Sequence, residues 1–399
     1  MSDRVTVFDT TLRDGEQSAG VLFSERDKLE IAEQLAAMRV DVIEAGFPAA
    51  SPIEWRAVHA VALRVRNASV CALARCTPGD IDAAAEALAG AAQPRIHVFV
   101  NASDVQLEHQ LRRSHAEVLD LAAAMVGRAR RAVSDIEFSP MDATRADRPF
   151  LAELVRTAVR AGATTINIPD TVGYALPEHI ADLFRWLRAA VPELAGVVLS
   201  FHGQNDLGMA SANAIAAVAA GARQVELCVN GIGERAGNTS FEEVVMSIAV
   251  HGPSLGVHTD VDTTGIYPLS RLVEERSGIA VPANKAIVGR NAFRHASGIH
   301  QDGVIKHRLN FECIDPAQIG HPRGTEIVLG KLSGRTGFAA RARALGFDLG
   351  SEQLAQAFRA FQELADQKRE LSDDDLRAIC NRDHADQAPE LRTNGDAPR

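Results

Sequence analysis

The sequence predicts an α/β fold of the (β/α)8 TIM-barrel class, followed by small helical C-terminal subdomains. Eight short runs rich in β-branched residues recur within the first 230 residues. The segments between them carry apolar residues at the 3.6-residue spacing of an amphipathic helix. Strands that alternate regularly with helices form parallel sheets, and eight such units close into a barrel.

The predicted strands are short and evenly spread along the chain. In order they are 5–9, 40–46, 69–74, 95–101, 134–139, 164–170, 197–203 and 224–230. Segments 25–38 and 150–162 are examples of the helical pattern between them. Because the loops after the strands build the active site of such barrels, we expect the chemistry at 9–17, 139–145, 170–174, 202–206 and 230–238.

The alternation stops after the eighth unit, which sets the expected domain boundaries. We expect the barrel to occupy residues 1–262, a subdomain with the GIHQDG segment 263–325, a helical subdomain 326–382 and a disordered tail 383–399. Ser372, which three acidic residues follow, is predicted to be the N-cap of the last helix.

Composition narrows the class of partner. Of the 399 residues, 46% are hydrophobic, and the formal net charge is −10 without any basic block, which argues against nucleic acid and anionic membranes. The sequence contains no run of eighteen apolar residues and no signal peptide, so we expect a cytoplasmic protein. The five cysteines form no CxxC pair, which disfavours a structural zinc site. A small-molecule partner is expected.

Two strand ends carry residues that could bind a metal. Asp14 follows the first strand and His202 ends the seventh, with Gln204 two residues later and therefore on the same face. Such oxygen and nitrogen donors suit a divalent cation. Alternatively, Arg13 and Asp14 form an ordinary ion pair, and His202 is a hydrogen-bonded residue of a polar rim.

Seven motifs in this order resemble a known enzyme family. They are FDTTLRDGEQSAG (8–20), VDVIEAGFPAASP (40–52), INIPDTVGYALP (166–177), NDLGMASANAIAAVAAGARQVE (205–226), NGIGERAGN (230–238), NKAIVGRNAFRHASGIHQDG (284–303) and LGKLSGR (329–335). From residue 4 to about residue 382, the chain resembles 2-isopropylmalate synthase and the related homocitrate and citramalate synthases. Those enzymes hold a 2-oxo acid on a divalent metal, deprotonate the methyl group of acetyl-CoA, join the two carbons and hydrolyse the thioester.

The resemblance implies roles for individual residues. It places the metal at Asp14, His202, Gln204 and Asn238, and it puts Arg13 against the carbonyl oxygen of the oxo acid. The implied substrate-binding residues are Arg13, Gln17, His97, Ser139 and Thr171. Gly231, Gly233 and Gly237 would approach CoA. The implied catalytic residues are Arg13, Asp142, Glu234 and His300, of which His300 would reach the barrel of a partner subunit in a homodimer.

Four positions depart from the family pattern. Gln204 replaces the second imidazole of a His-x-His pair, which favours Mg²⁺ or Mn²⁺ over Zn²⁺. Met141 replaces a glutamate, Phe311 a tyrosine and Leu332 a histidine. With Met141 in place of the acid, Asp142, His300 or water would take over proton transfer.

These departures leave three interpretations open. The chain is a diverged synthase, a carbon–carbon lyase on the same metal scaffold, or a homologue that binds ligand without turnover. A synthase releases CoA only when a 2-oxo acid is present, a lyase consumes a hydroxy acid alone, and a binding protein is merely stabilised by its ligand. We also expect no leucine-regulatory domain, and activity insensitive to leucine.

Overall fold

The computed structural model describes residues 2–368 and 370–385 and divides into two compact units. The first extends to Gly289 and the second begins at Arg290. The first unit therefore continues past the expected boundary at 262. The second spans the expected division between 325 and 326. Residues 386–399, most of the predicted tail, lie outside the described residues.

The first unit is the predicted barrel. A short strand β1 (Asp3–Arg4) precedes the barrel strands, which are β2 (Thr6–Asp9), β3 (Val42–Gly46), β4 (Ser69–Arg75), β5 (Pro94–Asn101), β6 (Asp135–Met141), β7 (Thr165–Asp170), β8 (Val198–Gly203) and β9 (Gln224–Leu227). The eight barrel strands pair in sequence order, and β9 closes on β2. All of these pairings are parallel. The predicted fold class is confirmed.

Helices cover the outside of the barrel. They are α1 (Glu25–Ala37), α2 (Pro52–Arg64), α3 (Pro78–Ala87), α4 (Asp104–Gln106), α5 (His115–Ala132), α6 (Arg148–Ala161), α7 (Pro177–Ala190), α8 (Ala210–Ala219), α9 (Phe241–Leu255) and α10 (Ile266–Ser277). Ser24 caps α1 in a reciprocal capping box with Asp27. Asp147 caps α6, whose first turn contains a proline. These local signals explain why α1 and α6 begin close to the predicted positions.

Two features of the first unit were not predicted. Strand β1 pairs with β10 (Val257–His258), and two-residue strands are too short to show alternation. Helix α10 belongs to the barrel unit, where Arg276 Nη2 donates to Glu30 Oε2 of α1 at 3.0 Å. This packing accounts for the later end of the unit.

Buried polar residues form the floor of the barrel. Arg95 donates to Gln224 Oε1 at 2.7 Å and to Glu137 Oε2 at 3.1 Å, and its Nε donates to Asp135 at 2.8 Å. This cluster fills the lower interior, so the functional cavity lies above it, toward the C-terminal ends of the strands.

The second unit is mainly helical. It contains β11 (Arg294–His295), α11 (Gly298–Lys306), β12 (Glu326–Ile327), α12 (Arg335–Ala344), α13 (Ser351–Ala365) and α14 (Asp373–Ala385). Phe338 and Phe361 are buried in its core with ring centroids 5.1 Å apart. Ser372 accepts from Asp375 N–H at 3.2 Å, as the N-cap prediction requires. Within residues 2–368 and 370–385, no helix is long and apolar enough to span a membrane.

Candidate active site

A cavity of about 320 Å³ opens among the loops that follow the barrel strands. This is the end at which TIM barrels build their active sites. Nine of the predicted residues line it: Arg13, Asp14, Gln17, His97, Ser139, Thr171, His202, Gln204 and Glu234. The fold thus brings together side chains as far apart in the sequence as Arg13 and Glu234.

Arg13 is held between two carboxylates at the edge of the cavity. Its Nε donates to Glu44 Oε2 at 2.6 Å, and its Nη1 donates to Asp14 Oδ2. Burial opposes the charge, but Glu44 and Asp14 outweigh it and raise the pKa of Arg13. Arg13 is therefore a permanent and fixed cation. The ion pair that the sequence left open is present.

His97 extends this hydrogen-bond network from Glu44 to Ser139, which also lines the cavity. Its Nδ1 lies 2.8 Å from Glu44 Oε1, and its Nε2 lies 2.7 Å from Ser139 Oγ. Burial disfavours a charged imidazole, but Glu44 outweighs it and raises the pKa of His97. Burial likewise opposes ionisation of Glu44, yet Arg13 and His97 lower its pKa to about 2. Glu44 thus orients both a guanidinium and an imidazole.

Three buried polar residues near the cavity were not predicted from the sequence. Glu44 lies inside β3, Asn167 inside β7 and Glu226 inside β9, and all three are buried. Barrel interiors are mostly packed with branched apolar side chains. A carboxylate or amide within such a strand was the signal that could have identified them.

Three further residues gather around the carboxylate of Asp14. His202 Nε2 lies 3.8 Å from Asp14 Oδ2, Asn238 Nδ2 donates to Asp14 Oδ1 at 3.0 Å, and Gln204 Nε2 lies 3.5 Å from the same oxygen. An isolated antiparallel bridge between Gln204 and Asn238 brings the two amides together. Glu226 Oε2 lies 2.9 Å from His202 Nδ1, which leaves Nε2 to face Asp14.

These residues fit a divalent metal ion. Within the described part of the chain, the buried oxygens Gln204 Oε1 and Asn238 Oδ1 have no hydrogen-bond partner. Unpartnered oxygens on amide side chains that themselves contact a carboxylate are suitable ligands for a hard cation. Among residues 2–368 and 370–385, no three His, Cys, Asp or Glu side chains form a metal-binding group. The candidate metal ligands are instead Asp14, His202 and the side-chain amides of Gln204 and Asn238.

The ionisation of Asp14 and His202 follows from their neighbours. Burial would raise the pKa of Asp14, but Arg13 and His202 outweigh it and lower that pKa. Burial would lower the pKa of His202, but the hydrogen bond to Glu226 outweighs it and raises that pKa. The Glu226–His202 pair is the carboxylate–imidazole arrangement that orients metal-binding histidines.

The three glycines predicted to approach CoA pack the turn before Asn238. A Cβ at Gly233 would lie 2.2 Å from Asn238 Nδ2, and one at Gly237 would lie 2.1 Å from the carbonyl oxygen of Gly231. Gly237 also has a φ of +93°. The glycines therefore let the turn close around Asn238, which is a sufficient structural reason for them.

Thr171 and Asp142 are adjacent, but only Thr171 lines the cavity. Thr171 Oγ1 accepts from Asp142 N–H at 2.9 Å. The Asp142 carboxylate is buried and accepts from Ser103 Oγ and from the Arg145 guanidinium at 2.6 Å. It is not among the residues that line the cavity in the described part of the chain. The Asp142 carboxylate is thus engaged by Ser103 and Arg145, and its predicted part in proton transfer stays a prediction.

The residues that depart from the family pattern lie in both units. Met141, at the end of β6, lines the cavity with Leu73, Phe99 and Pro169, so one wall is apolar. His300 and Phe311 belong to the second unit, where their rings lie 4.2 Å apart and Phe311 is 43% exposed. Leu332, in the same unit, is exposed.

Two family models match the chain, one in each part. HMGL-like matches residues 4–273, which include the whole barrel. Homocitrate synthase post-HMGL domain-like matches residues 287–369.

Comparison with individual proteins gives the family. The chain is 50% identical to a 2-isopropylmalate synthase of Syntrophus aciditrophicus, over 94% of this chain and 73% of that protein. It is 51% identical to a 2-isopropylmalate synthase of Synechocystis, over 98% of this chain and 75% of that protein. Hydroxymethylglutaryl-CoA lyase from Pseudomonas aeruginosa shares the fold, with a TM-score of 0.60 and 21% identity over 70% of this chain and 95% of that chain. Identity near one half across almost the full chain, together with both family models, shows that the chain belongs to the 2-isopropylmalate synthase family.

Proposed function

We propose that the barrel cavity is where the chain condenses acetyl-CoA with a 2-oxo acid and hydrolyses the thioester to a 2-alkylmalate-type product. One observation supports assigning the reaction to this cavity. Asp14, His202 and Gln204 line the cavity of a synthase-family barrel beside a fixed guanidinium, Arg13, and Asn238 donates to Asp14.

We propose that Asp14, His202, Gln204 and Asn238 hold a divalent cation, with Mg²⁺ or Mn²⁺ preferred to Zn²⁺. The preference follows because three of the four side chains offer oxygen and only one offers nitrogen. When bound, such a cation polarises the carbonyl group of the oxo acid. Family membership supports the requirement for a divalent metal.

Arg13 is positioned to stabilise charge in this reaction. Negative charge develops on the carbonyl oxygen as the neighbouring carbon is attacked, and a preorganised cation stabilises it most in a site closed to water. Glu44 and Asp14 hold the guanidinium from two sides, so little reorganisation is needed. We assign Arg13 the role of donor to this oxygen.

The remaining polar residues suit the rest of the oxo acid. A threonine hydroxyl that accepts the Asp142 N–H keeps its own proton, and in our proposal Thr171 donates it to the substrate carboxylate. His97 and Ser139 form the floor on which the oxo acid lies. Leu73, Phe99, Met141 and Pro169 make an apolar wall, so we propose a substrate with an apolar side chain.

Proton transfer requires a group other than Met141, because a thioether carries no exchangeable proton. Glu234 lines the cavity, and its side chain is 59% exposed at the rim. We propose that His300, in the second unit, is supplied by the partner subunit of a homodimer.

An assay of CoA release tests the proposal. Acetyl-CoA is offered with a panel of 2-oxo acids in the presence of Mg²⁺, Mn²⁺ or Zn²⁺, and the free thiol is followed. We expect release only with an oxo acid of apolar side chain and only with metal. Cleavage of a hydroxy acid in the absence of acetyl-CoA would instead support a lyase. The similarity to the lyase from P. aeruginosa shows the fold alone.

A further inference from the structure

A lysine of α1 is completely buried behind the loop that carries Arg13 and Asp14. Lys28 has 0% exposure. Its Nζ lies 2.7 Å from Glu54 Oε1, 2.8 Å from Glu16 Oε2 and 3.3 Å from the carbonyl oxygen of Ala45. An ammonium group has three protons, and three acceptor groups surround it here.

An apolar residue would be expected at the position of Lys28. Lys28 lies on the same face of α1 as Ile31 and Leu35, which are also fully buried. A buried ion pair is often no more stabilising than apolar side chains of the same volume. Fold stability therefore does not explain why a lysine occupies this place.

The first partner belongs to the loop of the proposed catalytic residues. Glu16 lies in the short turn Gly15–Gln17 directly after Asp14. Its Oε1 accepts from Phe23 N–H at 2.8 Å while its Oε2 binds Lys28. Both oxygens are thus engaged, and the turn is fixed to α1.

The other partners belong to the strand and loop that hold Glu44. Ala45 directly follows Glu44 in β3. Glu54, in the first turn of α2, also accepts from Phe47 N–H at 3.0 Å. A Cβ at Gly46 would lie 1.9 Å from Glu54 Oε1, so this loop admits the carboxylate only because residue 46 is glycine.

We propose that Lys28 is a positioning residue that fixes the loop of Arg13 and Asp14 relative to the strand of Glu44. Glu44 and Arg13 are bonded at 2.6 Å on the cavity side, and Lys28 joins the same two segments from behind. The guanidinium and the Asp14 carboxylate are then held in one orientation toward the cavity. The proposal rests on the function assigned above to Arg13 and Asp14.

The test compares Lys28→Met, Glu16→Gln and a control, Ile31→Val, which alters the same buried face without a polar link to the loop. Lys28→Met should speed hydrogen exchange of the backbone amides in residues 10–17 at least tenfold. It should also weaken Mn²⁺ binding about tenfold at unchanged stoichiometry and lower kcat about 10–100-fold, as a small misplacement of catalytic groups does. Glu16→Gln keeps the Lys28–Glu54 pair, so it should fold normally and show smaller changes in the same direction.

A purely structural role gives a different result. General loss of folded protein lowers the Mn²⁺ stoichiometry but not the affinity, and it speeds exchange throughout the barrel. If both Lys28→Met and Glu16→Gln match Ile31→Val in loop exchange and in Mn²⁺ affinity, the proposal is overturned. If the wild type shows no turnover with any oxo acid, the proposed function fails, while loop exchange still decides the role of Lys28.

Discussion

At the scale of single residues, Glu44 is the side chain on which the site depends most. It binds Arg13 and His97 with separate oxygens and also accepts from Thr10 Oγ1 at 2.6 Å. Its pKa of about 2 lies below the ordinary value of 4.5. Ionised Glu44 therefore stabilises the fold above pH 4.5, and this contribution is lost as the pH falls from 4.5 toward 2.

Glu44→Gln should remove that pH dependence. We expect the variant to lose about 3–5 kcal/mol at neutral pH, because Arg13 and His97 lose their partner. The difference in unfolding free energy from the wild type should shrink between pH 5 and pH 3, as measured by urea denaturation. The exposed Glu33→Gln is the control. A difference that stays constant over this range would contradict the depressed pKa.

Gln204→His should strengthen the proposed metal site. An imidazole is a better ligand than a neutral amide for zinc-like ions, so affinity for Zn²⁺ should rise by at least about tenfold. The gain for Mg²⁺ should be smaller. Calorimetry on the purified variant measures both, and unchanged Zn²⁺ affinity would mean that residue 204 does not touch the ion.

Met141→Glu tests whether a missing acid limits turnover. If it does, kcat should rise about tenfold or more with little change in KM, since the oxo acid is bound by other residues. If Met141 is instead an apolar wall fitted to the substrate, activity toward the preferred oxo acid should fall. Steady-state kinetics across the oxo-acid panel decide between these, and a uniform loss or no change rules out the missing-acid account.

At the scale of elements, the turn after β9 determines where Asn238 lies. Gly237→Ala should displace this turn, because the new Cβ would meet the carbonyl oxygen of Gly231. The control is Gly208→Ala, since Gly208 also has positive φ (+74°) but its Cβ would meet no described atom within 4 Å. The control should cost about 1–2 kcal/mol from backbone strain alone.

The same pair of variants separates two roles of the glycines. If they position Asn238, Gly237→Ala should weaken Mn²⁺ binding while Gly208→Ala does not. If they contact CoA instead, the KM for acetyl-CoA should rise in Gly237→Ala with Mn²⁺ affinity unchanged. Calorimetry and initial-rate kinetics on the two proteins provide both readouts.

At the scale of the whole molecule, the proposed homodimer predicts complementation between inactive subunits. Arg13→Ala removes a barrel function, and His300→Ala removes a function of the second unit. If His300 acts in the partner's barrel, random mixing of the two variants should restore about a quarter of wild-type activity, because half the dimers contain one complete site. Action within one chain predicts no recovery. Light scattering that shows a monomer at micromolar concentration would exclude the dimer.

The sequence by itself determined the barrel and most of the residues around its cavity. Periodic apolar spacing predicts the eight barrel strands and the helical pattern between them because local burial imposes it. Asp14, His202 and Gln204 could be placed because parallel strands in a barrel all end at the same rim. Their association did not require any knowledge of individual contacts.

Tertiary structure alone decided which polar residues support the chemistry. Glu44, Asn167 and Glu226 lie inside strands, and their inward direction emerges only when the barrel closes. Asp142 stands beside cavity residues in sequence but turns its carboxylate to Ser103 and Arg145. In the sequence, Lys28 resembles any other polar residue of a helix. It is buried only because α1 packs on the barrel. Contacts between distant segments fix these roles, and local patterns carry no information about such contacts.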